Sequence, residues 1–130
     1  MRRRALLLAI AALVVSASAL ADEPIKRKVL QHGELSGVPG REGVLYQAEI
    51  APGATVAKHT HPGDEFVFVV RGAVTVETEG KPSATVKAGD SDYLPAGIAH
   101  TIRNASTSEP ALAIGFQVSE PGKPLATAAE

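Results

Sequence analysis

The chain has 130 residues and no cysteine. No disulfide framework braces it, and no thiolate is available to a metal. A lipid-anchored leader, which needs a cysteine at its cleavage site, is excluded for the same reason. Long apolar runs are also missing. The most apolar stretch, Ala5 to Val15, falls short of the ~20 residues that cross a bilayer as a helix. It follows Arg2, Arg3 and Arg4 and precedes "SASALA", whose Ala19 and Ala21 stand in an A-x-A arrangement before Asp22. That layout is a cleaved secretory signal over residues 1–21. It predicts a periplasmic or secreted protein with no stable membrane association once the signal is gone. Twin-arginine and general export both stay open.

Residues 22–130, 109 in all, suit one compact domain with one core. In them ten Lys and Arg face 14 Asp and Glu, a charge near −4 with histidine neutral. No long basic run survives, which argues against nucleic acid as a partner. Helical periodicity is scarce too. In its place are short β-branched runs, "EGVLYQAEI", "EFVFVV", "AVTVETE", "SATVKA", "HTIRN" and "ALAIGFQV", punctuated by glycine and proline. Strands of this length with a turn signal every 8–12 residues or so predict an all-β sandwich or barrel. Pro52-Gly53 fits the two central positions of a type II turn.

Alternation assigns faces. Glu65, Val67 and Val69 share one side of their strand, and Phe66, Phe68 and Val70 the other. Both sides are apolar, so the outer one needs a cover: the N-terminal segment or a second copy in a homodimer. Tyr46, Ala48 and Ile50 are read as inward, with Gln47 and Glu49 outward.

Histidine is rare, four in the chain, yet two stand in "HTHPGDE". On a strand, His59 and His61 point the same way, ~6.5–7 Å apart along the chain. The Pro62-Gly63-Asp64 turn then returns the chain so that Glu65 reaches the same point. His100, after the Pro95-Ala96-Gly97 turn, opens another strand. Three imidazoles and a carboxylate, expected at strand starts near one barrel end, make a mononuclear metal site. Such ligands suit Fe(II), Mn(II), Ni(II) or Zn(II), and on an octahedral ion they leave two positions open.

With these residues in place the chain resembles a single-domain cupin. That family's first motif, glycine, five residues, His-x-His, three or four residues, Glu, six residues, glycine, is met by Gly53, His59, His61, Glu65 and Gly72. Its second, glycine, five residues, Pro-x-Gly, two residues, His, three residues, Asn, is met by Gly89, Pro95, Gly97, His100 and Asn104. The resemblance implies an all-β, double-stranded β-helix (jelly-roll) barrel in a single domain. The barrel is expected over residues 40–118, after an N-terminal segment, 22–39, and before an irregular C-terminal tail, 119–130. It also implies one divalent transition metal on His59, His61, Glu65 and His100. Fe or Mn is favoured; Ni, Cu, Co and Zn stay possible. Likeness to small quercetinase-like dioxygenases implies an exported oxygenase acting on a small organic molecule, with Glu65 doubling as a catalytic base. The alternative is a module that binds or senses a small molecule without turnover.

The remaining polar residues take plainer readings. His32 is structural, Asp64 a solvated turn residue, and Arg41 and Glu42 a surface loop. Tyr93 is a core aromatic with its hydroxyl near the surface. No further acid, base or arginine stands at a diagnostic spacing.

Overall fold

The computed structural model describes residues 24–130, so the secretory signal expected over residues 1–21 lies outside the described part. Ten strands form two antiparallel sheets, with no helix among the described residues. They are β1 (Ile25–Glu34), β2 (Glu42–Ile50), β3 (Thr55–Thr60), β4 (Glu65–Arg71), β5 (Ala73–Thr78), β6 (Ala84–Lys87), β7 (Ser91–Leu94), β8 (His100–Asn104), β9 (Ala111–Ser119) and β10 (Thr127–Ala128). One sheet runs β1-β2-β9-β4-β7 and the other β10-β3-β8-β5-β6. This is the all-β jelly roll expected from the sequence. Strands distant in sequence lie side by side, as when β2 pairs with β9 along its whole length from Glu42↔Ser119 to Ile50↔Ala111.

Alternation places the core between the sheets. Val67 and Val69 of β4, Val74 and Val76 of β5, Leu94 of β7 and Ile102 of β8 meet there, and Val69 is wholly buried. Burying a side chain of that kind contributes about 1.5–3 kcal/mol. Tyr46, Ala48 and Ile50 face inward as read. Turn chemistry holds as well: Ala54 N donates to Ala51 O at 3.1 Å, and Gly53 takes the positive φ of 67° that a type II turn requires.

Several expectations are corrected. Residues 25–34 form the edge strand β1, paired with β2 and broken by a bulge between Val29 and Gln31. They therefore do not cover the outer face of β4, where Phe66, Phe68 and Val70 stay about half exposed. Tyr93 is not core: its ring lies outside against Phe66, centroids 5.1 Å apart. Glu42 opens β2 instead of sitting in a loop. Past Ser119 the chain is mostly irregular, but Thr127 and Ala128 pair with Thr60 and His59 as β10.

Candidate metal centre

Pairing brings the histidines together. His59, the penultimate residue of β3, stands opposite His100, the first of β8. His61 follows directly after β3, and Glu65 opens β4 opposite Leu94 and Gln117. His59 thus sits at a strand end, not a strand start, because antiparallel neighbours reach the same rim from opposite directions. Close packing shapes the turn between His61 and Glu65. A Cβ on Gly63 would overlap the Val118 carbonyl, and Val118 N donates to Asp64 O at 2.8 Å. Asp64 is more than a solvated turn residue. Its Oδ1 accepts from Ala96 N and from the Tyr93 hydroxyl, both at 3.0 Å, while Gly97 N donates to His61 O at 2.9 Å. These bonds fasten the two motif loops to each other. Asn104 is structural: its buried amide donates to Ile50 O, Ala51 O and Glu109 O and accepts from Ser106 N.

The ring orientations follow from which atoms the backbone offers. His59 Nδ1 lies 2.8 Å from Ala57 O, His61 Nδ1 2.6 Å from Leu125 O, and His100 Nδ1 3.3 Å from Ile98 O. A carbonyl only accepts, so each Nδ1 carries the proton and each Nε2 keeps its lone pair. All three Nε2 atoms are buried without a hydrogen-bond partner, as is Glu65 Oε2. A buried polar atom left unpartnered costs about 1–3 kcal/mol, and four at one point are the mark of a missing shared partner. The three imidazoles form a group whose ligand atoms lie within 4.8 Å of one another. Bonds of about 2.1 Å to one ion place neighbouring ligand atoms about 3.0–3.4 Å apart, so the rings must close further to share an ion. Glu65 lies outside that group of three, but its Oε2 touches His61 Nε2.

Burial also sets the charge states. It pushes His61 and His100 down to about 4 and lowers His59 too, with the neighbouring imidazoles and Arg27 adding to the effect. Desolvation raises Glu65 to about 7, against the pull of Arg27. The rings are therefore neutral and ready to ligate at neutral pH, and the carboxyl is the group that carries a proton.

Beside the cluster, His59 and Glu65 line a cavity between the sheets whose other walls include Ile50, Val67, Val74 and Ile102. Its free volume, about 20 Å³, is room for one water. Two charged residues unmarked by the motifs, Arg27 of β1 and Asp92 of β7, complete the lining. Gln117 was also missed. It is fully buried, donates from Nε2 to Leu125 O at 2.9 Å, and leaves Oε1 unpartnered. The inward parity of Ala111, Ala113 and Gly115 in "ALAIGFQV" would have exposed it as a polar residue on the core face.

The comparisons agree with this geometry. A family model described as "Cupin domain" matches residues 46–115. A germin-like protein of Morus alba is 31% identical over 97 residues, covering 71% of this chain and 46% of its own. The chain therefore spans about half the length of the curated relatives it matches. A cupin-like protein of Thermotoga maritima superposes with a TM-score of 0.63 at 27% identity, over 81% of this chain and 75% of that one. An oxalate oxidase in complex with the substrate analogue glycolate gives 0.55 at 26%, over 64% and 45%. Ten motif positions, the jelly roll and the family match lead to one assignment: the chain belongs to the cupin family.

Proposed function

We propose that this protein is an exported, mononuclear metal-dependent enzyme of dioxygenase type, with His59, His61, Glu65 and His100 as ligands. The observation that carries the metal is the set of four buried donor atoms at one rim of the barrel, three imidazole nitrogens without a hydrogen bond and the Glu65 oxygen against that of His61. A bound Fe or Mn would supply Lewis-acid and redox chemistry there. The chain's own part is to hold three lone pairs inward through the Ala57, Leu125 and Ile98 carbonyls and to exclude water with the apolar wall. Glu65, deprotonated when it holds the ion, would receive a proton from a bound substrate where its bond to the metal loosens. The oxalate oxidase neighbour supports an oxidative reading. A second copy would cover Phe66, Phe68, Val70, Tyr93 and Phe116, the exposed apolar outer face of one sheet.

The alternative is a binding module without turnover, favoured by a cavity that holds only about one water. Elemental analysis of protein isolated without added metal, followed by oxygen-electrode measurements with a chelating organic such as an enediol, separates the readings. Fe or Mn with repeated oxygen consumption, lost in His100→Ala, supports the enzyme. A ligand-dependent spectral shift without oxygen uptake supports the binder. Absence of any metal, with none taken up on addition, refutes the enzyme and leaves only binding without a metal.

A further inference from the structure

"IKRKVL" holds three consecutive basic residues, and the pairing of β1 with β2 separates them. Partners across an antiparallel pair share a face. Lys26 stands opposite Glu49 and Lys28 opposite Gln47, on the outer side. Arg27 stands opposite Ala48, between the Ile25↔Ile50 and Val29↔Tyr46 pairs, and Ala48, Ile50 and Tyr46 are buried on the inner side. As a residue on an edge strand Arg27 is exposed, yet its side chain lines the cavity with His59, Glu65 and Asp92. No Asp or Glu oxygen among the described residues lies within 4.0 Å of its guanidinium.

A cation beside a metal-binding cluster is unfavourable on its own, because it repels the ion. Its placement is explained if an anion joins both. Charge counting says how large that anion's charge is. A dication with Arg27, Glu65 and Asp92 leaves one net positive charge, enough for a single negative one. The rest of the lining is apolar, including Val67, Val74, Leu94 and Ile102. Guanidinium binds carboxylate through two parallel N–H bonds, which fixes orientation as well as charge. The geometry points to Arg27 as the residue that selects a small monocarboxylate for this cavity, holding the carboxylate while the apolar wall takes the remainder of the molecule. This deepens the metal-dependent reading above and rests on it for the neighbouring ion. Arg27 belongs to an edge strand and is exposed, so the carboxylate it holds lies at the solvent side of a cavity whose own free volume is about one water's.

The test uses lactate and its neutral counterpart lactamide. Calorimetric titrations are run on the metal-free protein and on protein loaded with Mn(II), each as wild type, Arg27→Gln and Arg27→Lys. Arg27→Gln should weaken lactate binding tenfold or more and leave lactamide within about twofold. Arg27→Lys should keep part of the preference but lose the two-bond geometry. Mn(II) affinity should hold or rise in Arg27→Gln, because a repelling charge is gone. Equal lactate affinity in wild type and Arg27→Gln, in both forms of the protein, overturns the inference. Failure to take up Mn(II) or any other metal defeats the parent reading instead, and the metal-free titrations then decide the role of Arg27 alone.

Discussion

Metal binding should displace one proton, not three, over most of the acidic range. His61 and His100 are held at about 4, so near pH 5 those two imidazoles already present lone pairs, and burial lowers His59 in the same direction. Glu65, raised to about 7, holds the proton that an ion must expel. With one titrating group, apparent affinity should fall about 100-fold from pH 8 to pH 5, equivalent to ~2.7 kcal/mol. Three histidines at their ordinary 6.5 would cost far more, a loss of about 3 × 10⁴-fold over the same interval. Calorimetry with Mn(II) in buffers of differing ionisation enthalpy counts the protons directly. About one released at pH 5.5, and close to none at pH 8, is the expected result. In Glu65→Gln binding is weaker at neutral pH, but the slope between pH 5 and 8 should flatten. Release of two or three protons at pH 5.5, or an unchanged slope in Glu65→Gln, would refute the reasoning.

Other consequences are as direct. His61→Ala should abolish stoichiometric metal by elemental analysis while leaving a cooperative thermal transition. In the metal-free protein, His61 and His100 bind fewer protons folded than unfolded between about pH 4 and 6.5, so stability rises with pH there. Glu65 binds more protons folded and opposes this, so Glu65→Gln should steepen the rise of Tm with pH. Asn104→Ala leaves the Ile50, Ala51 and Glu109 carbonyls without their amide partner and should cost about 1–3 kcal/mol in urea unfolding, with metal stoichiometry kept. Phe68→Glu should shift the mass toward monomer in light scattering; an unaltered dimer mass in a folded variant would place the contact elsewhere.

Periodicity made the core legible because the strands alternate cleanly: Val67 and Val69 in, Phe66 and Phe68 out. Fixed spacing made the histidines legible, since each motif carries its own turn. Arg27 was hidden because in a basic triplet alternation cannot say which residue faces inward; only the β1–β2 register decides that. Leu125 was hidden for a different reason. Its contribution is a carbonyl, which every residue has, and its partner His61 lies 64 positions away. The short β7, Ser91–Leu94, carries too few residues for a pattern to emerge.

The Leu125 carbonyl has a practical consequence. It accepts from both His61 and Gln117, and the adjoining β10 is zipped to His59 and Thr60. Anything that binds better when that carbonyl is in place must, in return, keep it in place. Metal loading should therefore slow digestion of residues 120–130 by a protease, in proportion to ion concentration. Conversely, a purification tag fused after Glu130, where Lys58 Nζ donates to the Glu130 carbonyl at 2.7 Å, risks loosening a ligand on the far side of the strand. Preparations of this protein are better tagged ahead of β1.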